Sequence, residues 1–252
     1  MQFLALFFLG IIQGLTEFLP VSSSGHLVLF SKLFGIKESL FVSILLHGAT
    51  LCSIIVCFAK DIWQMIRHPF SKQTISLALA TLPTCVLALI FLPLVKKSFS
   101  GSLLPVCFAL SAAILFLGEV LSKNKQIKLN NKTAISMGIA QGFAIFPGLS
   151  RSGTTISAGL LAGGDKKSVA KFSFLMSIPI IFVSLFAEMF EIVSTKQPIA
   201  LPVWGLVVSF LSAFLIGIFA IKMMIKITQK ANLKWFSVYL IFISIVSLFV
   251  FF

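Results

Sequence analysis

The sequence is poor in charge. Only 11% of its 252 residues are Asp, Glu, Lys or Arg, against 58% hydrophobic residues and a mean hydropathy of +1.09. A soluble domain of this size could not cover so much apolar surface with so few charges, so lipid must be the solvent for most of the outside. Acids are scarcest, 7 Asp and Glu against 20 Lys and Arg. The resulting net charge of +13 is explained by short basic loops facing anionic headgroups, and it argues for no nucleic-acid partner. No Lys or Arg precedes Lys32, so the basic n-region of a signal peptide is missing and the first apolar stretch reads as part of the mature protein. The four cysteines, Cys52, Cys57, Cys85 and Cys107, lie in apolar runs without CxxC spacing. They read as small core hydrophobes, not as a disulfide framework or metal site. The GxxxxGK[ST] spacing of a Walker loop is absent as well.

What is present is a series of long apolar runs. A helix needs about 20 apolar residues to cross ~30 Å of hydrocarbon, and six stretches qualify: 40–59, 74–95, 101–121, 168–190, 202–225 and 235–252. Two further regions are apolar but broken. Residues 3–19 run into Pro20 and Ser22-Ser23-Ser24-Gly25, followed by a short apolar arm to Gly35. Residues 133–146 run into Pro147-Gly148 and a polar turn through Thr155, then a short arm to Gly163-Gly164. Arms this short cannot span, so each region is expected to enter and leave the membrane on one face. Irregular backbone at that depth is tolerated only where it lines a cavity or is buried in protein.

The two broken regions are copies of one segment. Residues 10–26, GIIQGLTEFLPVSSSGH, align without a gap with 138–154, GIAQGFAIFPGLSRSGT, and eight of seventeen positions are identical. Gln13 matches Gln141, Ser22 matches Ser150, Ser24 matches Ser152 and Gly25 matches Gly153, whereas Glu17 faces Ile145, Ser23 faces Arg151 and His26 faces Thr154. Each half is then one hairpin plus three spans, and an odd number of spans inserts the second half upside down. The expected fold is an all-α integral membrane protein with six transmembrane helices and two re-entrant helical hairpins in an inverted-topology repeat. It forms a single membrane domain, with 1–121 as the first repeat, 133–252 as the second and 122–132 as a cytoplasmic linker. Fourteen Lys and Arg fall on the linker's face; Lys32, Lys37, Lys96, Lys97 and Lys196 fall on the other, with Arg151 inside the membrane. That bias puts the linker in the cytoplasm, and both termini and the mouth of the first hairpin outside.

Glu17 and Arg151 are ionisable groups at hairpin positions, where an unpaired charge costs several kcal/mol, so a functional role is the default. The bland alternative is a structural ion pair between the hairpins. Gln13 and Glu17 stand four apart on a helical segment and project from one face. Ser22, Ser23 and Ser24 occupy the turn, where serines also serve simply as helix caps. With His26, this hairpin gathers a carboxylate, hydroxyls and an imidazole within ten residues. The second hairpin supplies Gly148, Ser150, Arg151, Ser152, Gly153, Thr154 and Thr155. Glycines for close approach, a helix N-terminus, hydroxyls and a guanidinium make a donor-rich anion site suited to phosphate. Together the hairpins suggest phosphate bound from one side and attacked from the other. His47, beside Gly48, can lie close to the site, though a buried, hydrogen-bonded structural histidine is the preferred reading; Glu119, Glu188 and Glu191 read as span-end acids able to reach the interface.

The motifs resemble a known family. QGLTEFLPVSSSGH at 13–26 resembles the first signature of the bacterial undecaprenyl-diphosphate phosphatases of the bacitracin-resistance type, a Glu or Gln four residues before a Glu. PGLSRSGTT at 147–155 resembles their second signature, PGxSRSxxT, and FAKDIW at 58–63 and FSFLMSIP at 172–179 are similar to further family segments. The resemblance covers nearly the whole chain. It implies hydrolysis of undecaprenyl diphosphate to undecaprenyl phosphate and inorganic phosphate, a multi-pass protein of the bacterial plasma membrane, use of a divalent cation, and a site open to the external, periplasmic face. The implied partners are the polyprenyl diphosphate lipid and membrane lipids, with no nucleic acid; a homodimer is compatible. Carried over by motif, the functional positions are Gln13, Glu17, Ser23, His26, Ser150, Arg151 and Thr155.

Roles follow from the chemistry. Glu17, Ser23, His26 and Arg151 are the expected catalytic groups, and Ser22, Ser24, Gly148, Ser150, Ser152, Gly153 and Thr155 bind substrate. A diphosphate carries about three negative charges, more than one Arg neutralises in low dielectric. Mg²⁺, with Ca²⁺ as the alternative, held by Glu17 and Gln13 with waters would fit, since Mg²⁺ takes few protein carboxylates. Three routes stay open: attack by Ser23 with His26 or Glu17 taking its proton, a phosphohistidine at His26, or water activated by Glu17. The rival function is a transporter or flippase for a polyprenyl phosphate or small anion, because broken helices in inverted repeats also build transporters.

Overall fold

A computed structural model describes residues 2–35, 40–98, 101–122, 129–195, 201–230 and 232–252. Among the described residues there are eleven helices and no strand: α1 (Gln2–Thr16), α2 (Ser23–Leu33), α3 (Leu40–Cys57), α4 (Ala59–Arg67), α5 (Lys72–Ser98), α6 (Leu104–Leu121), α7 (Asn131–Phe143), α8 (Arg151–Leu161), α9 (Lys166–Thr195), α10 (Val203–Lys230) and α11 (Lys234–Phe251). Six of them, α3, α5, α6, α9, α10 and α11, are long and apolar enough to cross a membrane. Their outer faces carry bare side chains such as Leu89, Phe190 and Phe249, at 73–81% exposure. Surface of that kind is stable only against lipid, and the chain is a multi-pass, all-helical membrane protein.

The helices match the six expected spans to within a few residues at each end, with one physical difference. The first span stops at Cys57 because Phe58 leaves helical geometry (φ −115°, ψ 22°), and α4 starts as a separate amphipathic helix. Pro83 and Pro93 sit inside α5 and Pro179 inside α9 without ending either. In a membrane, neighbouring helices and hydroxyls re-satisfy the freed backbone. The broken regions give short helices. At 1.5 Å per residue, α1 and α7 are about 20 Å long and α2 and α8 about 17 Å, less than the ~30 Å hydrocarbon thickness. The linker expected at 122–132 lies largely outside the described residues, as do Lys37, Lys123, Lys125, Lys128 and Lys196.

Packing joins the halves. α1 lies along α10, α5 along α7, α6 along α11, and α3 against α9 and α10. α8 is gripped by α6, α7 and α9, while α2 rests on α1 and touches α11. The core between them includes Phe18, Leu29, Ile54, Phe108, Met137 and Ile156, all essentially buried. Contacts between helix ends define the two ends of the molecule. At one end Lys171 pairs with Asp61 (2.6 Å), Lys166 with Glu119 (2.7 Å), and Ser76 donates to Asn131 (2.9 Å). These join the starts of α4, α5, α7 and α9 to the end of α6. At the opposite end Lys32 sits over the Phe251 ring (4.0 Å), and Gly205 faces Leu6. Those contacts gather the end of α2, the end of α11 and the starts of α1 and α10.

Candidate active site

The two interrupted segments meet in the interior around one carboxylate. Glu17 follows the last turn of α1, and its N–H still donates to the Gln13 carbonyl (3.0 Å). Helical geometry therefore carries both side chains on one face, and Gln13 Nε2 donates to Glu17 Oε2 at 2.9 Å. Ser23, the first residue of α2, donates Oγ–H to the same oxygen at 2.5 Å. Arg151, the first residue of α8, donates from Nη2 to Glu17 Oε1. His47 of α3 brings Nε2 to 3.8 Å from Oε2. The Glu17 side chain is 3% exposed and that of Arg151 19%, so this is a buried ion pair shared between the two halves.

The surrounding backbone is held just as tightly. Ser22 caps α2 in a left-handed conformation (φ 69°), which costs a non-glycine residue about 1–2 kcal/mol. Four hydrogen bonds hold it there. Ser22 Oγ accepts from the N–H of Gly25 (3.4 Å) and of Gly148 (3.1 Å); its carbonyl accepts from His26 N–H (3.2 Å) and His26 Nδ1–H (2.7 Å). On the other side Ser150 caps α8 by accepting from Gly153 N–H (3.1 Å). Ser111 of α6 donates to the Gly148 carbonyl (3.0 Å) and accepts from Ser150 N–H (2.8 Å), and Ser152 Oγ donates to the Leu19 carbonyl (2.9 Å). The turns touch at two glycines: a Cβ on Gly25 would stand 2.8 Å from the Gly148 Cα and N. Two helix N-termini, each a partial positive charge, thus converge on the place where Glu17, Ser23 and Arg151 meet.

Most of the expected site residues come together here, but not all in the expected roles. Gln13, Glu17, Ser23 and Arg151 form the polar centre; Ser22, Gly148, Ser150, Ser152 and Gly153 build the turns, with Ser24 Oγ 3.5 Å from Ser22 Oγ. Thr155 is buried, its hydroxyl engaged by the Arg151 carbonyl (2.8 Å) and Ser173 Oγ (2.6 Å), so it braces α8 against α9. His26 is not paired with Ser23. Its Nδ1–H is spent on the Ser22 carbonyl, and its Nε2 accepts from the Tyr239 hydroxyl at 2.8 Å. The ring lies buried between Phe108 and Tyr239.

Three contributors escaped the motif reading: Ser111, Ser173 and Tyr239. His47 is not merely structural in position, since it faces Glu17, and Glu188 of α9 hydrogen-bonds Ser43 one turn before it. The available signal was polar residues inside otherwise apolar spans.

A model of the family described as bacitracin resistance protein BacA matches residues 6–246, a stretch that contains both turns. The chain belongs to this family. Among curated relatives, the undecaprenyl-diphosphatase of Carboxydothermus hydrogenoformans is 41% identical over 237 residues, covering 92% of this chain and 90% of its own. The undecaprenyl-diphosphatase of Bacteroides thetaiotaomicron is 38% identical over 251 residues, 95% of each chain. That of Thermosipho melanesiensis is 37% identical over 247 residues, covering 95% of this chain and 96% of its own.

In this BacA-family site the groups able to hold a cation are few. Among the described residues, no cluster of three or more His, Cys, Asp or Glu is placed to bind a metal ion. Gln13 Oε1, however, is buried and accepts no hydrogen bond, right beside the Glu17 carboxylate. One carboxylate and one amide oxygen, completed by water and substrate oxygens, suit a hard divalent cation such as Mg²⁺.

Proposed function

We propose that this chain is a membrane-embedded phosphatase that hydrolyses undecaprenyl diphosphate to undecaprenyl phosphate and inorganic phosphate, recycling the lipid carrier of cell-wall synthesis. The observation that carries this reading is the Glu17 carboxylate joined at once to Ser23 from one half and Arg151 from the other. A transport function finds no support among the relatives, which bear the name of a hydrolase.

The chemistry follows from those partners. A terminal phosphate offers Arg151 a bidentate partner and takes the guanidinium over from Glu17. Its oxygens are also met by the N-termini of α2 and α8 and by the hydroxyls of Ser22, Ser24 and Ser150, while Ser152, donating to the Leu19 carbonyl, positions the turn. Glu17 keeps the Ser23 hydroxyl and accepts its proton as Oγ attacks the terminal phosphorus. The bond from that phosphorus to the bridging oxygen breaks, and undecaprenyl phosphate leaves with the electron pair and receives the proton from Glu17. A water then gives a proton to Glu17 and attacks the phosphoserine; the P–Oγ bond breaks, the proton returns to Ser23, and inorganic phosphate departs. Arg151 and the backbone N–H groups stabilise the charge that spreads over the transferring phosphoryl oxygens. His26, with both nitrogens engaged, positions the Ser22 carbonyl, and Thr155 positions α8. A divalent cation, Mg²⁺ or Ca²⁺, would be held by Glu17 and Gln13 and would supply the charge neutralisation that one guanidinium cannot.

The same reading extends to topology. The start of α1 and the end of α2 share one end of the molecule, and the start of α7 and end of α8 share the other, where Gly164 approaches Thr133. That supports two re-entrant hairpins of opposite sense. The pairing of α1 with α10 in one direction and α7 with α5 in the other supports repeats 1–121 and 133–252, joined by a linker at 122–132. Positive-inside bias assigns the Lys60, Arg67, Lys132 and Lys166 end to the cytoplasm. The first hairpin, the start of α1 and the end of α11 then face outside the bacterial plasma membrane.

The test is phosphate release from undecaprenyl diphosphate by the purified protein in detergent. Glu17→Ala and Arg151→Ala should each abolish it, and full activity in either would overturn the site. Substantial turnover in Ser23→Ala, with none in His26→Ala, would remove the serine as nucleophile.

A further inference from the structure

His47 presents an unpaired nitrogen to the site. Its Nδ1 lies 2.9 Å from the Ser43 carbonyl one helical turn back. A carbonyl only accepts, so Nδ1 carries the proton and the neutral ring holds its lone pair at Nε2. That nitrogen faces Glu17 Oε2 at 3.8 Å, beyond hydrogen-bond distance. A proton shared between them would draw the atoms to roughly 2.7–2.9 Å. The observed separation instead lies within the range open to two ligands of one ion, about 2.9 Å at right angles to about 4.1 Å in line.

Three further features surround this gap. Gln13, wholly buried, has an unpartnered Oε1 beside the same carboxylate. The His47 side chain is itself 22% exposed, which leaves room for waters on its open side. The ring is also fixed as a ligand histidine is, by donation of its other N–H to a backbone carbonyl, with the Ser43 hydroxyl (3.3 Å) and Glu188 behind it.

We infer that His47 Nε2 is a ligand of the divalent-cation site, alongside Glu17 and Gln13. The inference rests on the phosphatase reading for the presence of a cation. An imidazole in the ligand set favours Zn²⁺ over Mg²⁺ and Ca²⁺, and Mn²⁺, suited to the oxygen ligands of the same site, serves as the paramagnetic probe.

The test uses Mn²⁺ titrated into the purified full-length protein in detergent, with the bound ion followed by electron paramagnetic resonance and its nitrogen neighbours by spin-echo modulation. The expected result is one bound Mn²⁺ per chain with ¹⁴N modulation from a coordinated imidazole. His47→Gln should erase the modulation and weaken Mn²⁺ binding at least tenfold; His68→Gln, altered outside the site, should do neither. Bound Mn²⁺ that depends on Glu17 but shows no ¹⁴N modulation overturns the role of His47 and leaves the phosphatase reading standing. Mn²⁺ binding unaffected by Glu17→Gln overturns the cation site altogether, and phosphate release measured on the same samples shows whether the hydrolase reading falls with it. Should His47→Gln fold poorly, the wild-type modulation still decides between these outcomes, with His47→Asn as the second variant.

Discussion

Removing Arg151 should do two separable things. Glu17 is 3% exposed and Arg151→Ala would leave its carboxylate buried with only Ser23 (2.5 Å) and Gln13 (2.9 Å) as close donors. Breaking a buried pair from one side costs 3–5 kcal/mol in general; with two donors remaining, the expected loss is about 3 kcal/mol. Glu17→Gln keeps an amide in place and leaves a guanidinium that water reaches, so its cost is lower, about 1–2 kcal/mol. The double variant has no orphaned charge and should lose only about 2 kcal/mol, a coupling of roughly 2–3 kcal/mol in the cycle. Unfolding in mixed micelles titrated with denaturing detergent measures all four proteins. Activity should behave differently. The double variant should regain stability relative to Arg151→Ala while its phosphate release stays at least about 10³-fold below wild type, because the phosphoryl clamp is gone. Additive costs within about 0.5 kcal/mol would deny the pair. Activity that returns with stability would reduce it to scaffolding.

Other outcomes test the remaining parts. Tyr239→Phe removes the donor to the buried His26 Nε2 and should cost about 1–3 kcal/mol in the same unfolding assay. Its turnover should stay within tenfold of wild type, and a hundredfold fall would put His26 at the chemistry. Gly25→Ala forces a Cβ to 2.8 Å from the Gly148 backbone and should destabilise by about 1–3 kcal/mol, whereas Gly48→Ala meets nothing and should be neutral or slightly stabilising. The reverse order would refute the contact between the turns. Chelation with EDTA should stop phosphate release, and an added divalent cation should restore it; full activity in EDTA would exclude the cation.

Much of this architecture was legible from residue patterns, for reasons that also mark where legibility ends. Long apolar runs have one stable form in lipid, so the six spans fall where hydropathy puts them despite Pro83, Pro93 and Pro179. The i,i+4 spacing of Gln13 and Glu17 became a 2.9 Å hydrogen bond because local helix geometry decides it. The contact between Glu17 and Arg151 stood in the sequence only as the alternative to a functional role, and it forms because a low-dielectric interior leaves opposite charges little choice. Helix α4 was not readable: its nine residues are too few and too polar to register as a span. Nor were the attachments of His26 to Tyr239, of Thr155 to Ser173 and of Gly148 to Ser111, which depend on how distant helices rotate against one another. The repeat itself had a limit. Gln141 matches Gln13 in sequence, yet its amide donates to Thr84 and the Met176 carbonyl where Gln13 donates to Glu17, so the shared residue keeps the scaffold and not the chemistry.

The central claim is that one phosphate is held between the two halves, in place of the Glu17 contact to Arg151. The most direct measurement is an experimental structure of the protein with a non-hydrolysable polyprenyl diphosphate analogue. The account predicts the terminal phosphate bound to the Arg151 guanidinium, with its phosphorus facing Ser23 Oγ and Glu17 turned away from Arg151. An analogue bound elsewhere, with the pair between Glu17 and Arg151 intact, would contradict it.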